Sequence, residues 1–148
     1  WHLVQHPKFY YMDAGIFRSL RPMGPLDVPE EISGASLEGL VAQQLRAWIA
    51  YGRKDRELFF WRTKSGVEVD FIVYVQDTFL AIEVKSSRRV SSKDVRALKA
   101  FQEDYPQARA CLLYGGRDRL LVEGIPCLPC AEFLPRLVPD ATVLEILA

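Results

Sequence analysis

Two carboxylates and a lysine on consecutive apolar stretches are the residues of this chain best placed to do chemistry. Asp70 lies in GVEVDFIVYV (residues 66–75), and Glu83 and Lys85 lie in FLAIEVKSS (residues 79–87). Side chains alternate along a strand, so Glu83 and Lys85 share one face while Ile82 and Val84 take the other. The same alternation predicts Asp70 beside Glu68, Ile72 and Tyr74, with Val67, Val69, Phe71 and Val73 opposite. Charges removed from water must be paired or coordinated, so acids inside apolar strands need a partner. One reading is a cross-strand ion pair on a wet face. The other is a Mg²⁺ or Mn²⁺ site, because hard divalent ions take oxygen ligands. Phosphodiester hydrolysis must stabilise extra negative charge on phosphorus and supply a hydroxide-like nucleophile, and such an ion serves both needs. Asp70 and Glu83 are then the ligands, helped by a backbone carbonyl near Val84. Lys85 orients or deprotonates the attacking water, or stabilises the pentavalent state.

A further acid, Glu38, belongs to the stretch SLEGLVAQQLRAWIAYG. Leu37, Leu40, Val41, Leu45, Trp48 and Ile49 recur there at i, i+3, i+4 spacing, which predicts a helix capped by Ser36 and stopped at Gly52. With about 100° per residue, Glu38 falls between Leu45 and Ile49, inside the apolar arc and facing the sheet. It is expected in the first turn, where the helix dipole favours an acid. There it either satisfies free N–H groups as a capping glutamate or joins the site, as a ligand to a second ion or as a catalytic group. Helix acid, strand acid and Glu-x-Lys, in that order, favour one site over three unrelated ion pairs.

The elements that must position these residues are legible as periodic segments. ELFFWR (57–62), VEVDFIVYV and TFLAIEVK read as three strands, with turns at Gly66 and Gln76-Asp77, so a meander is expected. A second helix carries Val95, Leu98, Phe101 and Tyr105 on its apolar stripe, and Ser91 with Asp94 has capping-box spacing. ARACLLYGG (108–116) is a fourth strand, followed by the hairpin-like RLLVEGIPCLP and a short helix near AEFLPRL. Ahead of the core, KFYYMDAGIFRSL (8–20) reads as strand, turn and helix, and RPMGPLDVPEEISG (21–34) as a loop. Residues 1–35 are thus an N-terminal extension, and residues 36–148 an α/β core ordered helix, three strands, helix, strand.

Composition narrows the function classes. The 148 residues suit one domain, and 49% hydrophobic with 26% charged residues suit a globular one. Zero formal net charge argues against a general polyanion binder but leaves room for a local basic patch. No run approaches the roughly 18 apolar residues of a membrane span, and no leader pattern is visible. The chain starts at Trp1, which reads as a piece of a longer protein. Three cysteines make no disulfide framework, and a reducing cytoplasm is the expected location.

Asp70 followed by Glu83-x-Lys85 on the next strand resembles the metal-binding pattern of the PD-(D/E)XK nuclease superfamily, with Val69 where the superfamily name has proline. KFYYMDAGIFRSL, the helix residues Gly34, Glu38 and Val41, FFWRTKSGVEVDFIV, AIEVKSS and the late YGG together resemble a narrower group. It is the C-terminal domain, itself of unassigned function, of a family of prokaryotic AAA-type ATPases. The resemblance implies a restriction-endonuclease-like αβββαβ core, a mixed sheet flanked by helices, and an ATPase domain upstream in cis. This chain has no Walker-type phosphate loop of its own. A Mg²⁺-dependent nuclease acting on DNA is the expected function. The competing expectation is a non-catalytic module of the same fold that binds nucleic acid or protein and directs the ATPase.

Basic residues follow the acid pair: Arg88, Arg89, Lys93, Arg96 and Lys99, with Arg62 and Lys64 ahead of Asp70. They read as a phosphate-tracking surface, or as an ordinary solvated helix face. Trp61 is expected in the core. Cys127-Leu-Pro-Cys130 has redox spacing, but it follows no compact βαβ unit, and with Cys111 it makes an incomplete zinc set. Buried apolar thiols are the simpler reading. His2 and His6 have no visible triad partners.

Overall fold

The computed structural model describes residues 29–53, 56–75 and 78–148. A long helix, α1 (Pro29–Tyr51), precedes strands β1 (Glu57–Arg62), β2 (Glu68–Val75) and β3 (Thr78–Lys85). Helix α2 (Arg96–Asp104) and strand β4 (Arg109–Tyr114) follow, then β5 (Leu120–Val122) and β6 (Ile125–Pro129). Two short helices, α3 (Cys130–Phe133) and α4 (Val143–Leu147), flank a 3₁₀ turn at Leu134–Arg136. Helix, three strands, helix, strand is the order the periodicity predicts.

The sheet runs β1-β2-β3-β4-β6-β5. Strands β1, β2 and β3 form an antiparallel meander. Helix α2 then carries the chain back so that β4 pairs parallel to β3, and β6 pairs parallel to β4. Strand β5 closes the sheet antiparallel to β6. The result is an α/β fold with a mixed six-stranded sheet and flanking helices. Parallel strands must be covered on both faces, which is why their sequences are apolar throughout and not alternating.

Each face has its own core. Val41, Leu45 and Trp48 of α1 pack on Phe71, Val73, Leu80, Ile82 and Leu113, with Phe133 and Ile146 of the short helices. On the other face Leu98 and Phe101 of α2 meet Val69, Ile72, Ala81 and Leu112. Trp61 is in this second core, edge-on to Phe101 at 5.4 Å. Arg56 is buried over the Trp48 ring at 3.9 Å and donates to the Ala141 carbonyl at 3.0 Å, tying the end of α1 to the C-terminal segment.

Two helix starts differ from expectation. Helix α1 begins at Pro29, inside the segment read as a loop, and Ser36 is a buried residue within it instead of its cap. Proline at a first helical position, with Glu30 and Glu31 behind it, is a start signal that outweighs the helix-weakening Gly34. Before α2, the Asp94 carboxylate accepts from the Ser91 N–H and the Ser91 hydroxyl, each at 2.8 Å. That is half of the expected capping box. Regular helix starts only at Arg96, after an N-cap Val95 that makes no side-chain cap. The segments expected at residues 8–20 and 21–28, with His2 and His6, lie outside the described residues. No helix among the described residues is long and apolar enough to cross a membrane.

Candidate metal-binding site

The acid pair sits where the meander stops being regular. Strand β2 pairs with β1 at Ile72–Phe59 and again at Val69–Trp61, so Asp70 and Phe71 both stand opposite Phe60. This is a β-bulge, and it breaks the alternation assumed above. Val69 packs with Ile72 on the α2 side, whereas Phe71 and Val73 pack on the α1 side. The expectation of Val69 and Phe71 on one face is corrected accordingly. Alternation holds only along an unbroken ladder.

On its other edge β2 leaves β3 at the same place. The last paired residues are Phe71 and Ile82, and the next step in register would set Asp70 against Glu83. Strand β3 continues along β4 to Lys85–Tyr114. The two strands therefore fork at the acids. The Asp70 carboxylate fills the fork, its Oδ2 accepting from the Val84 N–H at 2.9 Å. A side chain thus satisfies a donor that the ladder no longer serves.

Glu83 is held less well. It is buried, and its Oε2 has no hydrogen-bond partner. Lys85 Nζ lies 3.6 Å from Oε1, an ion pair too long to be a hydrogen bond. Burial, with the Asp70 charge second, pushes the Glu83 carboxyl up to about 8, although Lys85 and the Asp70 backbone pull it down. Lys85 itself is partly exposed at the mouth of the fork.

Helix α1 and the turn after β4 close on the residues just past Lys85. A Cβ added to Gly34 would stand 3.6 Å from the Ser86 hydroxyl oxygen, so α1 passes close to the end of β3. Glu38 is one turn on from Gly34, on the same stripe of the helix. It therefore lies on the side of α1 that passes the fork, half-buried, but well inside the helix and away from the first-turn dipole expected for it. Gly115 donates its N–H to the Ser87 carbonyl at 3.0 Å, and a Cβ there would come within 2.6 Å of the Ser86 carbonyl oxygen. The YGG segment, whose glycines follow the end of β4, clamps the backbone that follows Lys85.

What the site brings together is Asp70, Glu83 and Lys85. Among the described residues no group of three or more His, Cys, Asp or Glu side chains is arranged to hold a metal ion, so Glu38 does not complete a three-carboxylate set. Two carboxylates still fit a hard ion that keeps several waters and takes substrate phosphate oxygens. The Glu83 Oε2 is partnerless and buried beside a second carboxylate, so this pair has an unused oxygen lone pair facing the fork.

The basic residues divide. Arg62 pairs with Glu68 at 3.9 Å, Lys99 pairs with Glu123 at 2.5 Å, and Arg96 acts on that same Glu123. Lys64, Arg88, Arg89 and Lys93 are exposed and make no such pairs among the described residues. The cysteines are not reactive centres. All three are free and buried, with thiols raised by burial, Cys130 to about 11. Cys127 and Cys130 even face opposite cores, so their spacing never brings the sulfurs to one site.

Two curated relatives are similar to this chain, each 28% identical over 137 residues: the uncharacterized protein Rv2008c of Mycobacterium tuberculosis and the uncharacterized protein Mb2031c of Mycobacterium bovis. The alignments cover 86% of this chain but only 28% of each relative, so the chain spans little more than a quarter of their length. Residues 33–133, from the second turn of α1 to the end of α3, match one family model. The chain belongs to the family described as Domain of unknown function (DUF4143).

Proposed function

We propose that this domain is a PD-(D/E)XK-type, Mg²⁺- or Mn²⁺-dependent nuclease module that hydrolyses DNA phosphodiester bonds, and that it serves as the C-terminal part of an AAA-type ATPase. The observation that carries the reading is the buried, partnerless oxygen of Glu83 at a strand fork filled by Asp70. A divalent ion at that fork supplies Lewis acidity where negative charge develops on the phosphate. Asp70 and Glu83 hold it. Lys85 reaches out of the fork toward solvent, where its ammonium orients water or meets the charge growing on phosphorus. Glu38 stands half-buried on the adjoining helix. The greater length of the relatives leaves room for an ATPase partner in cis.

A second reading has its own support. Lys85 lies 3.6 Å from Glu83, an ion pair that a module kept for binding alone would also have. One experiment separates them: incubation of plasmid, linear and single-stranded DNA with Mg²⁺ or Mn²⁺, for wild type, Asp70→Ala and Lys85→Ala. The nuclease reading expects metal-dependent cutting lost in both variants. Inert wild type that binds no metal by calorimetry would leave the binding module.

A further inference from the structure

Zero net charge conceals an uneven distribution. Strand β2 starts, and β3 and β4 finish, at the same end of the sheet as the acid pair. Three loops therefore meet there: the β1–β2 turn (63–67), the β3–α2 loop (86–95) and the β4–β5 loop (115–119). They carry Lys64, Arg88, Arg89, Lys93 and Arg117, all exposed and none in an ion pair with a described residue. These loops hold two acids: Asp94 is occupied by Ser91, and Asp118 is exposed beside Arg117. The opposite end mixes signs, with Glu57, Glu103 and Asp104 beside Arg53 and Arg109. Cations that pair with no described acid, gathered around a site for phosphate chemistry, fit a polyanion.

We infer that Lys64, Arg88, Arg89, Lys93 and Arg117 form a cradle that grips the phosphate backbone of duplex DNA without reading its sequence. Duplex is favoured over single strands because single-strand binders stack bases on aromatic side chains. The exposed aromatics among the described residues, Tyr51 and Tyr74, both lie at the far end: Tyr74 pairs with Glu57, and α1 reaches Tyr51 after leaving Ser86 behind at Gly34. Arg117 was not among the cations the sequence suggested, whereas Arg62 and Lys99 drop out because acids pair with them, and Arg96 because the charge of Glu123 lies near it. The inference rests on the phosphodiesterase reading of the same site, but its test does not need cleavage.

The test is anisotropy of a fluorescent duplex titrated with the whole chain in EDTA at several salt concentrations. Each lost phosphate contact lowers the slope of log K against log salt by about 0.9. Replacing Arg88, Arg89 and Lys93 together by Gln should flatten that slope by roughly three contacts and weaken binding alike on unrelated sequences. Arg109→Gln, at the far end of β4, should change nothing. Three results would overturn the cradle: no duplex binding by wild type, an unaltered slope in the triple variant, or tighter binding to single-stranded DNA or RNA. If the cradle binds but wild type never cuts, the nuclease reading fails alone. If cutting persists with an unaltered slope, the cradle fails alone.

Discussion

Two glutamates, each beside basic side chains, have opposite fates in this molecule. Glu132 sits on the surface with its Oε1 2.5 Å from Arg119 and 3.2 Å from Arg136, and those hydrogen bonds and charges hold its carboxyl below the usual range. Glu83 is buried, has one ammonium at 3.6 Å and a second carboxylate alongside, and its carboxyl is held well above that range. Both clusters are ion pairs in a list of contacts. Only the first is complete. A cluster that exists to join two elements satisfies its members, whereas a ligand site must keep an oxygen back for something outside the chain. The comparison turns a surplus of salt bridges into a sorting rule, and substitutions can break it.

The largest expected effect is on turnover. If Glu83 and its neighbours are the working cluster, Lys85→Ala should cut the cleavage rate by roughly 10²-fold or more, the usual scale for a positioned acid–base group. Asp70→Asn should do at least as much, since it removes a ligand while keeping the shape that accepts from Val84. Arg119→Ala, at the satisfied cluster, should leave the rate unchanged. Single-turnover cleavage of one duplex by the three variants measures all of this. Equal losses at both clusters would erase the distinction.

Stability against pH gives the next effect, and here the two glutamates should diverge in sign. Below about pH 4.5 the Glu83 carboxyl is protonated in folded and unfolded chains alike. Between 4.5 and about 8 the unfolded chain ionises freely while the folded one resists. Stability contributed by Glu83 is therefore lost as pH rises through that window, by an amount on the order of a few kcal/mol. Glu83→Gln should flatten the curve and raise the melting temperature at pH 8. Mg²⁺ at 100 times its Kd should restore about 2.7 kcal/mol to wild type at that pH and nothing to the variant. The depressed Glu132 acts the other way, its contribution present at neutral pH and lost on acidification. Thermal unfolding from pH 4 to 9, with and without Mg²⁺, reads both. A pH-independent melting temperature in wild type would mean that Glu83 is better solvated than the fork geometry implies.

Much of this was legible before the fold was known. The apolar runs fixed the strand order because burial on two faces leaves no polar positions to confuse the pattern, and Asp70, Glu83 and Lys85 stood out as charges inside such runs. The bulge was not legible. Ile72 and Val73 are both apolar, so VEVDFIVYV reads equally well with or without an extra residue, and only pairing with Phe60 reveals the slip. Helix α1 starts earlier than its apolar periodicity shows, because Pro29 and Gly34 read as breakers although Pro29-Glu30-Glu31 is a helix opening. Helix α4 went unread despite a capping box: Thr142 accepts from the Glu145 N–H, and the Glu145 carboxylate accepts from the Thr142 N–H. Thr-x-x-Glu is a visible signal, but only five residues of helix follow it. The purpose of Gly115 is not legible in YGG, since a close approach between distant loops has no local signature.

That glycine offers a smaller perturbation of the same comparison. In Gly115→Ala the new methyl carbon meets the Ser86 carbonyl, a backbone atom that cannot swing aside. Overpacking of this kind costs about 1–3 kcal/mol. The strain falls on the two residues after Lys85, so cleavage should drop along with the urea midpoint. Gly124→Ala is the control: its φ of +82° also strains a side chain, but a Cβ there meets nothing, and it sits in the β5–β6 turn away from the fork. It should destabilise without touching turnover beyond the loss of folded protein. Equal effects of both substitutions on turnover at matched stability would mean that the clamp does not position Lys85.

The smallest effect expected is at Glu132 itself, and its smallness is informative. Arg119 and Arg136 hold that carboxylate on the surface, where the two ions keep most of their hydration and added salt screens what attraction remains. Glu132→Gln should lower the melting temperature slightly in dilute buffer and not at all at about 1 M salt, where the screening length falls to about 3 Å. Glu83→Gln should be almost indifferent to the same salt, because a buried carboxylate is shielded from mobile ions by the protein around it. Melting curves of the two variants against salt thus test the sorting rule with no reference to catalysis. If Glu83→Gln proved as salt-sensitive as Glu132→Gln, the fork would be open to water and its partnerless oxygen hydrated, and an ordinary surface ion pair would account for Lys85.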